Sequence, residues 1–258
     1  MKVFLGKALF RASKFFLQKL GFVLSLSNLT ENNYPELTKK ELSFINKVFT
    51  ASVTMVSFES LATLAIACKY LKENEIRGDF VEAGVWRGGS SIVAKKFLGS
   101  TRSYYLYDTY AGMTRPTAYD YRTIDKDNSS TVEKWNKLNQ GSSNAWVNAS
   151  LEEVKGNFKK FNLLDKTINF IVGDVTKTLV DGSKPKEISI LRLDTDFYDS
   201  TLIELQVLWP LLVKGGVLIL DDYGHWDGAR RAVDEYFGAG LKSLMIPIGG
   251  GGGRILVK

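Results

Sequence analysis

Short apolar runs alternate with helical patterns along the chain from about residue 57. Five runs are rich in β-branched or aromatic residues and are followed by polar or glycine-containing loops, which predicts strands. The predicted strands are Asp79 to Val85, Ser103 to Tyr107, Thr167 to Val172, Ile188 to Leu193 and Val217 to Leu220. Because strands that alternate with helices form parallel sheets, we expect an α/β domain with its functional residues at the carboxyl ends of these strands.

Capping residues and periodic apolar positions mark helices between the strands. Ser150 and Glu153 form a capping-box pattern, and a helix that opens at Asp199 should stop around Pro210. The buried face of the helix after the fifth strand is predicted to consist of Ala229, Ala232, Val233, Tyr236 and Phe237. The stretch LKSLMIPIGGGGGRILVK reads as an antiparallel hairpin, which completes a mostly parallel seven-stranded sheet with flanking helices.

Two parts of the chain lie outside this pattern. Residues 1–50 are predicted to be a helical extension of the domain at 51–258, and residues 115–145 a loop-rich insertion, either a substrate lid or a surface excursion. Basic residues recur throughout residues 1–27, so no apolar run approaches the ~20 residues of a membrane span. We expect an amphipathic helix that covers the domain or a second subunit; peripheral contact with anionic lipid and a cleaved signal are the alternatives.

The composition of the 258 residues, 45% hydrophobic and 24% charged, excludes the disordered class. Cys68 is the only cysteine, which excludes an intrachain disulfide and a cysteine-based metal site and favours a cytoplasmic location. Much of the net charge of +6 comes from the N-terminal segment. No basic stripe interleaved with aromatic residues lies beside the predicted site, so no nucleic-acid partner is expected.

The first predicted strand runs into a glycine-rich turn, DFVEAGVWRGGSS. Glycine would let a ligand approach the backbone closely. The spacing differs from the dinucleotide fingerprint G-x-G-x-x-G, and Glu82 precedes Gly84 by two residues. A carboxylate there would repel a pyrophosphate but attract the ammonium of a methionine moiety, directly or through water. A tight strand-to-helix turn is the alternative.

Acidic residues also end the next two predicted strands. Asp108 could accept both hydroxyls of a ribose, or serve as a loop or capping acid. With Glu82 it indicates a nucleoside that carries a cation, which is S-adenosylmethionine. Gly173 and Asp174 follow the third strand, and the acid either contacts the adenine amino group or belongs to a simple turn.

The fourth and fifth predicted strands are followed by acids in LDTDFY and LDDYGHW. Since the ends of adjacent strands meet, Asp194, Asp221 and Asp222 should converge, with Asp196 a weaker candidate. Converging carboxylates repel one another unless a cation neutralises them, and oxygen ligands suit Mg²⁺. We therefore predict a metal site; solvated capping acids are the alternative. His225, the only histidine, is a candidate general base or a structural residue.

Together these motifs resemble the macrocin O-methyltransferase (TylF-like) family, whose members methylate sugar hydroxyls. The resemblance is carried by Thr54-Met55 with Ser57 and by VEAGVWRGGSS, LYDTYAGM, ASLEEVKGNF, LRLDTDFYDST and GGVLILDDYGHWDGARRAVDEYF. It implies a class I methyltransferase, Rossmann-like fold, dependence on S-adenosylmethionine and Mg²⁺, and a homo-oligomer. By position it implies that Asp194, Asp221 and Asp222 bind the metal, that Asp194 is also the base, and that the cofactor contacts are Thr54, Met55, Glu82, Gly84, Ser90 and Asp108.

The sequence thus predicts an S-adenosylmethionine-dependent, metal-assisted O-methyltransferase that acts on a hydroxyl of a sugar or sugar-containing small molecule. A nicotinamide-dependent sugar oxidoreductase would share the strand-turn-helix and the ribose acid, but the phosphate-binding glycine pattern is missing. A non-catalytic scaffold that retains the fold is the other alternative. Amino-group methylation is disfavoured because strand four ends in DTDFY, unlike the Asn-Pro-Pro-Tyr type of loop of such enzymes.

Overall fold

The computed structural model describes residues 33–182, 184–238 and 243–258. The helices are α1 (Lys39–Thr50), α2 (Phe58–Glu73), α3 (Gly89–Leu98), α4 (Ser129–Leu138), α5 (Leu151–Lys160), α6 (Val175–Asp181), α7 (Tyr198–Leu208) and α8 (Asp227–Phe237). The strands are β1 (Asp79–Ala83), β2 (Tyr104–Asp108), β3 (Ile168–Val172), β4 (Ile188–Leu193), β5 (Leu212–Leu220), β6 (Ile246–Ile248) and β7 (Gly253–Val257).

The strands form one seven-stranded sheet in the order β3-β2-β1-β4-β5-β7-β6. The five strands from β3 to β5 are parallel, and β7 pairs antiparallel with both β5 and β6. This confirms the predicted mostly parallel sheet with an antiparallel C-terminal hairpin. The chain winds outward from β1 to β3 and then returns to β4, so the strand order reverses between β1 and β4. In such sheets a crevice opens at the carboxyl ends of the two strands at the reversal.

Strand ends differ from prediction where the backbone turns. β4 has the predicted bounds, whereas β1 ends at Ala83, two residues before the predicted Val85. Gly84 has a φ of 83° and directs the chain out of the sheet. β5 begins at Leu212, earlier than the predicted Val217, because its first residues still pair with β4. The loops after β1 and β4 therefore begin close to the sheet edge.

The core lies around β4, whose six residues are all buried. Fully buried apolar side chains of the sheet and helices, including Val81, Leu191, Leu205 and Leu218, pack together. Burial of such a side chain contributes roughly 1.5–3 kcal/mol, so the central strands form a rigid frame for the loops at their ends.

Most predicted helix features are confirmed. The hydroxyl of Ser150 caps α5 by accepting a hydrogen bond from the backbone N–H of Glu153 at 3.2 Å. α7 ends at Leu208, before Pro210, and α8 buries Ala229, Ala232 and Val233, with Tyr236 and Phe237 partly buried. The 115–145 segment was predicted to be rich in loops, but it contains α4, which buries only Thr131.

The compact unit that carries the sheet begins at Ile45, inside α1. Residues 1–27, for which the sequence predicts an amphipathic helix, lie outside the described residues. Within the described ranges, every helix is too short or too polar to cross a bilayer.

Candidate active site

A cavity of about 590 Å³ opens at the carboxyl ends of the central strands. Its wall comprises the loops after β1 to β5, residues 53–56 ahead of α2 and residues 122–124 of the insertion. Every residue predicted to bind the cofactor or the metal or to act as a base lines it: Thr54, Met55, Glu82, Gly84, Ser90, Asp108, Gly173, Asp174, Asp194, Asp221, Asp222 and His225. The structure thus brings the predicted site residues together in one cavity, while their individual roles stay predictions.

The turn after β1 is held against the loop after β4. A Cβ atom on Gly84 would lie 1.9 Å from the carbonyl oxygen of Asp194, so the close approach of two backbones requires glycine here. Gly89, at the start of α3, is similarly close to the side chain of Thr54 and the carbonyl of Val53. Gly84 and Gly89 therefore also let the turn after β1 pack closely against the loop after β4 and against residues 53–54.

Asp108 organises this turn from the end of β2. Its Oδ2 accepts backbone hydrogen bonds from Val85 and Trp86 at 2.7 and 2.9 Å, and its Oδ1 accepts one from Tyr110 at 2.7 Å. Burial raises the pKa of Asp108, and these hydrogen bonds oppose that shift. The residue is therefore a loop-organising acid, and the predicted ribose contact stays a prediction beside that role.

The other predicted cofactor residues also have local contacts. Asp174 caps α6, because its Oδ1 accepts hydrogen bonds from the backbone N–H and hydroxyl of Thr176 at 3.0 and 2.7 Å. Ser90 is buried in the first turn of α3, whereas Met55 is 63% exposed and lies at the mouth of the cavity. An adenine contact of Asp174 stays a prediction.

A buried arginine that the sequence analysis did not consider lies among the acids. Glu82 of β1 is in register with Arg192 of β4, and Arg192 is in register with Ile219 of β5. Side chains two residues apart along a strand share a face, so Asp194 and Asp221 lie on the same side of the sheet as Arg192. The sequence contained this signal, since a lone arginine in the strand ISILRL needs acidic partners when buried.

The guanidinium of Arg192 bridges three carboxylates. Nη1 donates to Oε1 of Glu82 and to Oδ2 of Asp194, both at 2.7 Å, and Nη2 donates to Oδ1 of Asp221 at 2.8 Å. Glu82 also accepts a hydrogen bond from the hydroxyl of Ser91. The Glu82 carboxylate is therefore already paired, and the predicted attraction of a methionine ammonium stays a prediction.

The predicted metal ligands converge. Asp194, Asp221 and Asp222 each offer a carboxylate oxygen, and the three atoms lie within 4.8 Å of one another. Arg192 pairs with Asp194 and Asp221 of this set and with Glu82, so when all four acids are ionised its single positive charge offsets only part of their negative charge. An all-oxygen donor set with excess negative charge fits Mg²⁺. Arg192 nevertheless weakens the electrostatic argument made from the sequence, which counted no internal cation.

Burial and like charge perturb these acids. Burial raises the pKa of Asp194 and of Asp222 well above the usual range, and the nearby Asp221 raises both further. Burial, then the charge of Asp194, raises the pKa of Asp196 to about 7. Asp196 has a φ of 66° and donates its backbone N–H to Oδ2 of Asp222 at 3.1 Å. A second positive charge beside Asp194 and Asp222 would favour their ionised forms.

His225 lies on the rim of the cavity, in the turn after β5. Its backbone N–H donates to the carbonyl of Asp222 at 2.8 Å, and its exposed side chain lies against Gly252, where a Cβ would come within 2.0 Å of the ring. The insertion is tied to the same turn, because Thr123 donates its backbone N–H to the carbonyl of His225 at 2.9 Å and its hydroxyl to the carbonyl of Gly224 at 3.0 Å. Residues 122–124 of the insertion thus form part of the cavity wall, while a lid function of the insertion stays a prediction.

The chain is similar to known O-methyltransferases. It is 34% identical over 189 residues to the 8-demethyl-8-(2,3-dimethoxy-alpha-L-rhamnosyl)-tetracenomycin-C 4'-O-methyltransferase of Streptomyces olivaceus. The aligned region covers 72% of this chain and 67% of the relative. It is 30% identical over 187 residues to the demethyldecarbamoylnovobiocin O-methyltransferase of Streptomyces niveus, covering 71% and 67% of the two chains.

Solved structures show the same fold. The O-methyltransferase NovP superimposes with a TM-score of 0.68 at 27% identity, over 80% of this chain and 81% of that one. An O-methyltransferase from Bacillus cereus, at 12% identity and a TM-score of 0.51 over 86% and 92%, supports the class I Rossmann-like fold alone. A family model described as macrocin-O-methyltransferase (TylF) matches residues 26–248. This confirms the resemblance seen in the motifs: the chain belongs to the macrocin-O-methyltransferase (TylF) family and is an O-methyltransferase.

Proposed function

We propose that this enzyme methylates a hydroxyl of a sugar or sugar-containing small molecule, with S-adenosylmethionine as donor and Mg²⁺ as an assisting ion. Family membership supports the donor, and a relative named for a rhamnosyl-bearing tetracenomycin supports the acceptor class. The observation that carries the proposal is the convergence of Asp194, Asp221 and Asp222 in the cavity that also contains the turn at Gly84. The nicotinamide-dependent and non-catalytic alternatives are not favoured.

The cofactor would be held by the turn from Gly84 to Ser90, by Thr54 and Met55, and by the acids at the ends of β2 and β3. When bound, S-adenosylmethionine would supply a methyl group, which bonds to the acceptor oxygen as its bond to sulfur breaks. The chain contributes by fixing the two reactants at short distance in one cavity, an effect that provides much of the rate of bimolecular reactions in enzymes.

Asp194, Asp221 and Asp222 would hold the ion. Bound there, Mg²⁺ would lower the pKa of a coordinated hydroxyl. Asp194, whose Oδ2 faces Arg192, or the rim residue His225 would accept the proton of the acceptor hydroxyl. Both residues line the cavity, so the choice between them requires a measurement.

The metal assignment is tested by titrating the protein with Mn²⁺ as a paramagnetic probe and with S-adenosylhomocysteine. Asp194→Asn and Asp222→Asn should weaken Mn²⁺ binding by about tenfold or more. Their S-adenosylhomocysteine affinity, measured without Mn²⁺, should change little. Asp199→Asn is the matched control, since Asp199 is exposed and lies outside the cavity wall. Wild-type Mn²⁺ affinity in both site variants would exclude the metal assignment.

The base is identified by single-turnover methyl transfer to a panel of rhamnose-containing acceptors. His225→Asn should lower the rate by about 10²-fold and leave Mn²⁺ affinity unchanged if His225 removes the proton. A wild-type rate in this variant assigns the proton to Asp194. Loss of turnover after removal of divalent ions by a chelator, with cofactor binding retained, tests the role of the ion itself.

Three sequence predictions need separate experiments. A homo-oligomer is tested by light scattering on the full chain. Contact of residues 1–27 with a membrane is tested by co-sedimentation with anionic vesicles. A cytoplasmic location is tested by cell fractionation.

A further inference from the structure

One side chain joins Glu82, a predicted cofactor residue at the end of β1, to the acids of the predicted metal site. Arg192 is 4% exposed at its side chain, and Glu82, its partner on the β1 side, is 1% exposed. The same guanidinium contacts Asp194 and Asp221 on the other side. A guanidinium is planar and presents its N–H groups in a fixed fork, so the positions of these three carboxylates depend on one another.

The contacts also determine how the acids face the cavity. Arg192 occupies Oδ2 of Asp194 and Oδ1 of Asp221. Arg192 therefore leaves the other carboxylate oxygen of Asp194 and of Asp221 for a second positive partner. The carboxylate of Asp222 could bind the same partner. Charged hydrogen bonds from a neighbouring residue orient ligands at metal sites, and loss of such partners costs 10–100-fold in metal affinity.

Glu82 is fixed in turn from the opposite side. The hydroxyl of Ser91, in the first turn of α3, donates to Oε2 of Glu82, while Arg192 takes Oε1. Ser91 is fully buried, and it follows Ser90, which lines the cavity. A continuous chain of contacts thus runs from α3 through Glu82 and Arg192 to Asp194 and Asp221.

We propose that Arg192 is a positioning residue that couples the two halves of the site. Its contact with Glu82 links its position to the strand that leads into the predicted cofactor turn. Its contacts with Asp194 and Asp221 orient the predicted metal ligands. This inference rests on the proposed function, because it assumes that these acids bind a divalent ion. It differs from a simple charge-balancing role, in which only the single positive charge of Arg192 would matter.

The two roles predict opposite results. If Arg192 only balanced charge, Arg192→Gln would leave the acids more negative and bind Mn²⁺ more tightly, and Arg192→Lys would resemble the wild type. If Arg192 positions the acids, both variants lose the fork and should bind Mn²⁺ about tenfold more weakly or worse. Ser91→Ala changes no charge, yet it should weaken Mn²⁺ binding about threefold, because it loosens Glu82.

The experiment is a Mn²⁺ titration followed by electron paramagnetic resonance, with S-adenosylhomocysteine affinities measured calorimetrically with and without Mn²⁺. In the wild type the two S-adenosylhomocysteine affinities should differ, and in Arg192→Lys their ratio should move towards one. Arg102→Lys is the matched control: Arg102 is partly buried, and its fork binds Ser189 and the carbonyls of Ile76 and Gly78 away from the cavity. Both affinities should match the wild type there.

Wild-type Mn²⁺ affinity in Arg192→Lys, tighter binding in Arg192→Gln, or an unchanged affinity in Ser91→Ala would overturn the coupling. If the Arg192 variants fail to fold, as judged by circular dichroism, the conservative Ser91→Ala variant decides. A wild-type protein that binds no Mn²⁺ would instead contradict the proposed metal assistance, so the two failures are distinguishable.

Discussion

Asp120, in the insertion, accepts a hydrogen bond from the backbone N–H of Tyr198 at 2.7 Å, across 78 residues of sequence. Tyr198 begins α7, directly after the loop that carries Asp194 and Asp196. The other oxygen of Asp120 accepts hydrogen bonds from the backbone N–H and hydroxyl of Thr117 at 2.6 and 2.8 Å. The insertion and the acidic loop are therefore joined by one fully buried carboxylate.

Asp120→Asn should destabilise the protein and lower its activity. An amide nitrogen cannot accept the hydrogen bonds made by one of the two carboxylate oxygens, and a buried donor left without a partner costs about 1–3 kcal/mol. Urea unfolding measures the loss of free energy. Asp125→Asn is the control in the same insertion: Asp125 is partly exposed and pairs with the exposed Arg122, so its loss should shift the unfolding midpoint much less. Equal effects of the two substitutions would contradict a joining role for Asp120.

Gly84→Ala should disrupt the site as a whole. Its φ is 83°, and an added Cβ would meet the Asp194 carbonyl oxygen at 1.9 Å. Strain and overpacking together should lower the free energy of unfolding by about 3 kcal/mol or more. Gly141→Ala is the matched control, because Gly141 has a φ of 81° and nothing within 4 Å of an added Cβ. Its cost should be only the backbone term of about 1–2 kcal/mol.

Glu204→Gln should be nearly neutral at pH 7, although Glu204 is fully buried beneath the acidic loop. Its Oε1 accepts the hydroxyl of Thr195 at 2.9 Å, while Oε2 has no hydrogen-bond partner among the residues described. Burial raises the pKa of Glu204 well above its usual range, which favours the uncharged carboxyl, and glutamine has the same shape and charge as that form. Urea unfolding at pH 7 should differ from the wild type by less than about 1 kcal/mol. A much larger loss would mean that Glu204 is ionised.

Asp165 should make the stability of the protein depend on pH. It lies just before β3, at the end of the sheet away from the candidate active site. It pairs with Lys95, whose side chain is 1% exposed, at 2.8 Å. Burial raises the pKa of Asp165, but hydrogen bonds from Lys95, Thr167 and Ser100 outweigh that and lower it below the usual value. As the pH falls below ~4, the Asp165 carboxyl is therefore protonated in the unfolded chain before it is protonated in the folded protein. The stabilisation by ionised Asp165 is full above that pH and disappears as the pH falls through the folded-state pKa.

The measurement is thermal unfolding of wild type and Asp165→Asn at several pH values. The variant should melt at a lower temperature near neutral pH. The difference should shrink as the pH falls below ~4, because the wild-type carboxyl then becomes protonated as well. A difference that stays constant over this range would show that the ion pair does not control the titration.

The sheet was predictable because its information is local. Each strand is a short apolar run between polar loops, and β4 emerged with the predicted bounds because all six of its residues are buried. The end of β1 was misplaced because Val85 is apolar and buried, although it lies in the turn beyond Gly84. α4 was missed because its sequence, SSTVEKWNKL, buries only Thr131 and therefore lacks an apolar stripe.

The residues that line the site were also predictable, whereas the hydrogen bonds between them were not. Asp194, Asp221 and Asp222 converge because adjacent parallel strands end together. The role of Arg192 depends on the register between β1, β4 and β5, which no local pattern encodes. The capping by Asp174 and the loop contacts of Asp108 depend on backbone N–H directions that a sequence motif does not specify.

The way the insertion is attached bears on engineering of acceptor range. The two ends of the insertion meet where Gly112 approaches the Asn144 carbonyl oxygen so closely that an added Cβ would lie 1.8 Å away. Nearer its start, Asp120 and Thr123 bind the insertion to the start of α7 and to the turn after β5. A chimera that transplants the whole segment from another methyltransferase would remove these fastenings along with any acceptor contacts. Exchange of residues 126–143 alone would retain these contacts of Gly112, Asp120 and Thr123, provided that the replacement keeps the buried Thr131 and the hydrogen bonds of Asn128 and Trp135 to the carbonyls of Thr117 and Met113.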